Sequence, residues 1–245
     1  MNRKSFPERN RRSTAAAAAP YPAGRRFWIV LLAVLLLAAC VPAVDLKALT
    51  PLPTVEGAVP LWVATEALDA LTTFRYLTDG EVTSDGNVGR YHVEGIYQHE
   101  GRAWRARCTV DAAGQEAALE IYSTESRLWW SAPGANDWQA VTRWPAFRQI
   151  AEDSGPFAYW PVPVEYQPGV PQPETRQVDG LACRDYLFQP LDTSREATLR
   201  LCLTPDTSVP LRMEYTAQEK ERRIHVVREF VDLNDATIVV PSPFE

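Results

Sequence analysis

Histidine is scarce in this chain: His92, His99 and His225 are the only three among 245 residues. That leaves little from which to build a metal centre or a histidine-based acid–base pair. His92 and Glu94 point from one face of an extended run, but a metal site takes three or four ligands, and these are two. No G-x-S-x-G elbow, no phosphate-binding glycine loop and no C-x-x-C pair occurs. The many Asp and Glu residues form no pair singled out by spacing. The sequence therefore points away from an enzyme: no nucleophile–base constellation, no metal site and no cofactor motif is expected.

Long apolar runs are also lacking. The one greasy stretch, Phe27 to Ala39, spans about 13 residues, short of the roughly 20 that a membrane-spanning helix needs. Extending it meets Pro42 and Asp45. What is there has a different order: Arg25-Arg26, an uncharged apolar run, then Leu37-Ala38-Ala39-Cys40. A positive end, a greasy middle and a small-residue cleavage site make a secretory signal. Leu37, Ala38, Ala39 and Cys40 resemble a bacterial lipobox. The resemblance implies cleavage before Cys40 and acylation of its thiol, so that the mature chain is held to a membrane by lipid. The competing reading is an uncleaved anchor. Arg25-Arg26-Phe27 also resembles a twin-arginine signal, and either route leads out of the cytoplasm. The expected location is extracytoplasmic, on the outer face of the cell membrane, or in the periplasm or at an outer membrane where the organism has one.

Basic charge is scarce once that segment is removed. Residues 1–39 carry seven Lys/Arg and one acid, so the 25 basic and 31 acidic residues of the whole chain become 18 and 30, a net of about −12 in place of −6. A strongly acidic surface excludes nucleic acid as a partner, because binding it requires cations that displace counterions. It also excludes adhesion of the folded part to anionic lipid.

Three regions follow: a signal over 1–39, a tether over 40–59 and one domain over 60–245. Pro42, Pro51, Pro53 and Pro60 punctuate the tether and keep it extended. From Pro60 to Thr73, Leu61, Ala64, Leu68 and Leu71 recur at helical spacing behind a proline suited to a first turn. The period then changes to two. Strands are expected near 74–83, 89–98, 101–110, 116–123, 126–131 and 137–141. Asp85-Gly86-Asn87, Gly101, Ala113-Gly114 and Pro133-Gly134 supply the turns. A short helix over 144–151 interrupts. Gly155 to Pro173 follows, too rich in aromatics and proline for a solvated loop, and is expected to cover something. Strands resume near 174–179, 181–189, 197–204, 209–217 and 222–232. About eleven strands and two helical pieces, without strand–helix alternation, exclude a parallel sheet.

With Cys40 acylated, Cys108, Cys183 and Cys202 remain. A hairpin register that sets Cys183 opposite Cys202 also sets Asp185 opposite Arg200 and Tyr186 opposite Leu199. Opposed positions bring Cβ atoms to disulfide distance, and an exported protein meets an oxidising compartment. A Cys183–Cys202 disulfide is expected. Cys108 shares an apolar strand face with Trp104 and reads as a small buried hydrophobe.

Three stretches carry a family resemblance. They are Ser126-Arg127-Leu128-Trp129-Trp130-Ser131-Ala132-Pro133 with Asp137-Trp138, Gly180-Leu181-Ala182-Cys183-Arg184-Asp185-Tyr186, and Leu199-Arg200-Leu201-Cys202-Leu203-Thr204-Pro205 with Val209-Pro210-Leu211-Arg212. With the element order and the closing Phe230-Val231-Asp232-Leu233-Asn234, they are similar to the LolA/LolB superfamily of lipoprotein carriers and sensors. The resemblance implies a mainly β (α+β) fold: a single antiparallel half-barrel of about eleven strands wrapped around an N-terminal helix and a mid-chain helical and aromatic insertion. It also implies a concave apolar face that holds acyl chains, and hence a lipid or acyl partner.

The candidate lining residues are Trp62, Leu68, Trp104, Trp144, Phe147, Phe157, Tyr159 and Trp160. The same side chains also read as an ordinary filled core, since aromatics are core material first. Two functions follow. One is a lipid-anchored carrier or sensor of hydrophobic molecules. The other is an envelope lipoprotein of structural or protein-binding role with a filled interior.

Overall fold

The computed structural model describes residues 56–112, 114–143 and 145–244, without the side chains of residues 143 and 145–147. The signal, the lipobox and Cys40 lie outside the described residues, as does Trp144.

Helix α1 is Leu61–Asp69, entered from Pro60 in extended backbone. Leu61, Ala64 and Leu68 are its buried stripe. The helix stops short of the expected Thr73. Leu71 is still buried, but it lies past the last helical turn, its N–H donating to the Leu68 carbonyl at 3.2 Å, and Thr72 is held by Asn234 Oδ1, which accepts its N–H at 2.8 Å.

Eleven strands follow: β1 Thr73–Ser84, β2 Asn87–Gln98, β3 Ala103–Ala112, β4 Gln115–Thr124, β5 Arg127–Ser131, β6 Gln139–Ala140, β7 Val170–Val178, β8 Leu181–Phe188, β9 Glu196–Leu203, β10 Pro210–Glu219 and β11 Arg222–Val231. Helix α2, Pro145–Asp153, lies between β6 and β7 in the chain. The strands form one antiparallel sheet in the order β6-β5-β4-β3-β2-β1-β11-β10-β9-β8-β7. Two meanders thus stand back to back, joined where the first strand pairs with the last. The sheet is open.

Local chemistry explains the joints. Asp85-Gly86 and Asp179-Gly180 both have positive φ at both positions, the backbone of a two-residue hairpin turn that matches strand twist. β3 begins at Ala103 because Glu100–Arg102 forms a 3-10 turn around Gly101. β7 begins at Val170, earlier than expected, and absorbs Pro171 and Pro173 through a break in register between Pro171 and Thr175. Prolines are tolerated there because β7 is an edge. The opposite edge, β6, has only two residues, too little to recruit another strand.

The core fills the concave side. β1 alternates, with Phe74, Tyr76, Thr78 and Gly80 inward and Arg75, Leu77 and Asp79 outward. Leu61, Ala64 and Leu68 of α1, Ala151 of α2 and strand residues from Phe74 to Phe230 form one buried cluster.

Candidate functional site: the covered concave face

The seam between β1 and β11 sets Tyr76 opposite Phe230 and Thr78 opposite Arg228. On its other side Tyr76 is opposite Gly95, and Gly80 is opposite Tyr91. These glycines are space, not turns. A Cβ added at Gly95 would stand 2.1 Å from the Tyr76 ring, and one at Gly80 would stand 2.0 Å from the Tyr91 ring. Each tyrosine therefore lies across the strand it faces, and its hydroxyl reaches under the cover.

Arg228 is wholly buried, at 0% exposure. Its Nε–H donates to Thr78 Oγ1 at 2.8 Å. Its Nη1 donates to the carbonyls of Pro156 at 2.5 Å and Ala158 at 3.0 Å. Its guanidinium stands 5.5 Å from the Tyr76 ring centroid, a cation–π contact. Nη2 is buried and has no hydrogen-bond partner. Burial pulls the guanidinium's pKa down, while Tyr76, Tyr91, Tyr159 and Asp153 act to hold it up.

The segment after α2 is the cover. Tyr76 donates its O–H to the Ser154 carbonyl at 2.9 Å, and Trp160 Nε1–H donates to Thr65 Oγ1 on α1 at 3.0 Å. Tyr159 adopts φ 62°, a conformation that costs a non-glycine residue of order 1 kcal/mol. It stands 5.8 Å from the Tyr215 ring. The hydroxyls of Tyr91 and Tyr159 are buried and make no bond of ordinary hydrogen-bond geometry, although each bears on the other's ionisation. Burial pushes the Tyr91 hydroxyl up to about 12 and raises Tyr159 further. Burial also raises Asp153, whose Oδ1 accepts from Gln149 at 2.8 Å.

The candidate lining residues separate into groups. Leu68 is core. Trp104, Tyr159 and Trp160 are half-buried against it. Phe157 is at the rim, edge-on to Phe74 and Tyr97 at 6.4 and 5.2 Å. Trp62 is 53% exposed and stands outside the cluster. Trp144 and the side chain of Phe147 lie outside the described residues. The sequence reading missed Arg228, Tyr76 and Tyr91. The signal for Arg228 was available: it is a cation at an inward position of a strand whose neighbours Ile224, Val226 and Phe230 are apolar.

Cys183 and Cys202 are bonded, with Cα atoms 5.3 Å apart. The expected register is corrected by two residues: Asp185, not Cys183, stands opposite Cys202, and Leu187 stands opposite Arg200. The cysteines are diagonal neighbours. A shift of two leaves every side chain on its face, which is why the pairing survives it. The pair lies in a small outer cluster with Val178 and Leu211, beside Asp185, which is 1% exposed and bridged to Arg176 at 2.9 Å and Arg200 at 3.8 Å. Cys108 is a free, buried thiol in the main core.

On the convex face a hollow of about 490 Å³ is lined by Asp79, Glu81, Arg90, His92, Asp111 and His225, among others. His92 pairs through Nδ1 with Asp79 at 2.8 Å and through Nε2 with Glu94 at 3.3 Å. The Asp79 bond is the main cause that raises its pKa. Among the described residues, no group of three or more His, Cys, Asp or Glu is placed to hold a metal ion, and no helix is long and apolar enough to cross a membrane.

No family model matches the chain, and no curated protein matches it. Solved structures do. Lipoprotein LppX of Mycobacterium tuberculosis aligns over 74% of this chain and 96% of its own, at 10% identity and a TM-score of 0.46. A putative outer membrane lipoprotein-sorting protein domain from Vibrio parahaemolyticus aligns over 74% and 94%, at 12% identity and a TM-score of 0.29. The Pseudomonas aeruginosa MucA/MucB complex aligns over 74% of this chain at 18% identity and a TM-score of 0.37, and this chain spans 57% of that one. The architecture itself is an N-terminal helix, an open antiparallel sheet of eleven strands, and a second helix with a covering segment midway.

Proposed function

We propose that this chain is an exported protein held to the outer face of a membrane by acylated Cys40, and that its half-barrel binds a lipid or other hydrophobic molecule beneath the cover. One observation carries the reading. The concave face of an open sheet is closed by two short helices and a loop, and the loop is held by a few polar contacts: Arg228 to Pro156 and Ala158, Tyr76 to Ser154, and Trp160 to Thr65. A second sheet would be fastened along its length, whereas a cover held at points can part. The reading assigns no reaction to the protein. The acyl anchor rests on Leu37-Ala38-Ala39-Cys40 behind a short apolar run.

A second reading keeps the anchor and drops the ligand. It is favoured by the aromatic packing of the interior, where Phe74 meets Tyr97 at 4.8 Å and Phe230 at 5.5 Å. In that case the domain acts through its surface. The two separate by extraction of the full chain carrying Cys40→Ser, which cannot be acylated, followed by mass spectrometry and titration with cis-parinaric acid. A co-purifying lipid or saturable probe binding supports the carrier. Neither leaves the interaction protein.

A further inference from the structure

Arg228 is a buried cation with no bonded anion among the described residues. Its three hydrogen bonds go to a hydroxyl and two carbonyls, all neutral. Buried arginines are rarely left so, since the cost of desolvating a charge is recovered by pairing it. The groups that face it come from every surrounding element: Thr78 and Tyr76 on β1, Tyr91 on β2, Asp153 at the end of α2, and Tyr159 and two backbone carbonyls on the cover. Asp153 is the one carboxylate in this set. It is half-buried, engaged by Gln149 and faced by Tyr159. Meanwhile Nη2 is a buried donor without an acceptor among the described residues, and the hydroxyls of Tyr91 and Tyr159 are buried and make no bond of ordinary geometry, although Tyr159 bears on both Tyr91 and Asp153. Guanidinium and phenol donors in an apolar setting are the chemistry that recognises a carboxylate or phosphate oxygen, and the planar fork favours it over any neutral acceptor.

We propose that Arg228, with Tyr91 and Tyr159, is the head-group anchor for an anionic amphiphile, an acyl chain ending in a carboxylate. The inference rests on the ligand-binding reading and narrows it: the ligand brings an anion bonded directly to Arg228, which none of the described residues supplies. A neutral lipid of the same length fills the same apolar surface and leaves Nη2 unsatisfied.

The test is isothermal titration of the full chain carrying Cys40→Ser with decanoate, decanol and acetate at neutral pH, repeated with Arg228→Gln and Arg228→Lys. The expected result is decanoate binding at least about tenfold more tightly than decanol, the scale of one charged hydrogen bond. Acetate should bind far more weakly than either. The gap between acid and alcohol should close in Arg228→Gln and be partly kept in Arg228→Lys. The comparison of ligands on the unaltered Arg228 decides the matter even where a variant fails to fold. Equal affinity for decanoate and decanol overturns the anchor and leaves the carrier standing. Acetate binding as tightly as decanoate overturns the amphiphile. No binding of decanoate or decanol overturns both anchor and carrier.

Discussion

Arg228 on β11 and Thr78 on β1 stand opposite each other at the join of the two meanders, with the Arg228 Nε–H on Thr78 Oγ1 at 2.8 Å. The same guanidinium fastens the cover through Pro156 and Ala158. One side chain thus ties sheet to cover. Arg228→Lys keeps the charge but cannot serve three acceptors in a plane. It is expected to lower stability by about 3 kcal/mol, read from urea unfolding. The cover should loosen first, as faster amide exchange at Ala158 and Trp160 than at β1.

Gly95 and Gly80 make a paired prediction. Gly95→Ala drives a methyl into the Tyr76 ring, and Gly80→Ala does the same to Tyr91. Each is expected to cost about 1–3 kcal/mol through overpacking. Gly89→Ala is the control. Its nearest neighbour is the Val82 carbonyl at 3.9 Å, so thermal unfolding should move little or rise.

The disulfide closes a sequence separation of 19 residues. The Cys183→Ala/Cys202→Ala double variant is expected to lose about 3 kcal/mol. Reduction of the native protein should lower the unfolding midpoint similarly and leave Cys108, buried, unlabelled until unfolding.

His92 reports on the convex face. Its pKa is raised from 6.5, chiefly by the hydrogen bond to Asp79. A raised folded-state value means that the protonated form is favoured by folding. The contribution is fully present below the unfolded pKa and fades as pH rises through the folded one. Side-chain exposure of 45% for His92 keeps it small. In Asp79→Asn, NMR titration of His92 should move back toward 6.5, and the acid-side gain in stability should shrink.

Much of the fold was legible because its signals are local. Alternation placed β8 over Leu181–Phe188 and β10 over Pro210–Glu219 within a residue or two of expectation. Asp85-Gly86 marked one tight turn, whereas Asp179-Gly180, of the same chemistry, went unread. The disulfide was legible because a register error of two residues keeps cysteines on one face. The site was less so. Arg228 matters because β11 returns to pair with β1, some 150 positions away in the chain, and no local pattern announces that partner. Trp62 misled for the opposite reason: it sits on an amphipathic helix, yet one position beyond the buried stripe of Leu61, Ala64 and Leu68. Strand β7 defied its prolines, because an edge has no need of their missing N–H groups.

The central claim is that the covered concave face receives a hydrophobic ligand. The most direct measurement is solvent extraction and mass spectrometry of the full Cys40→Ser chain purified without detergent. The account predicts a bound lipid at near one per chain, lost when Leu68 and Phe74 of the core are replaced by polar residues in a chain that still unfolds cooperatively. A chain that carries no lipid and binds no acyl probe, with its fold intact, contradicts it.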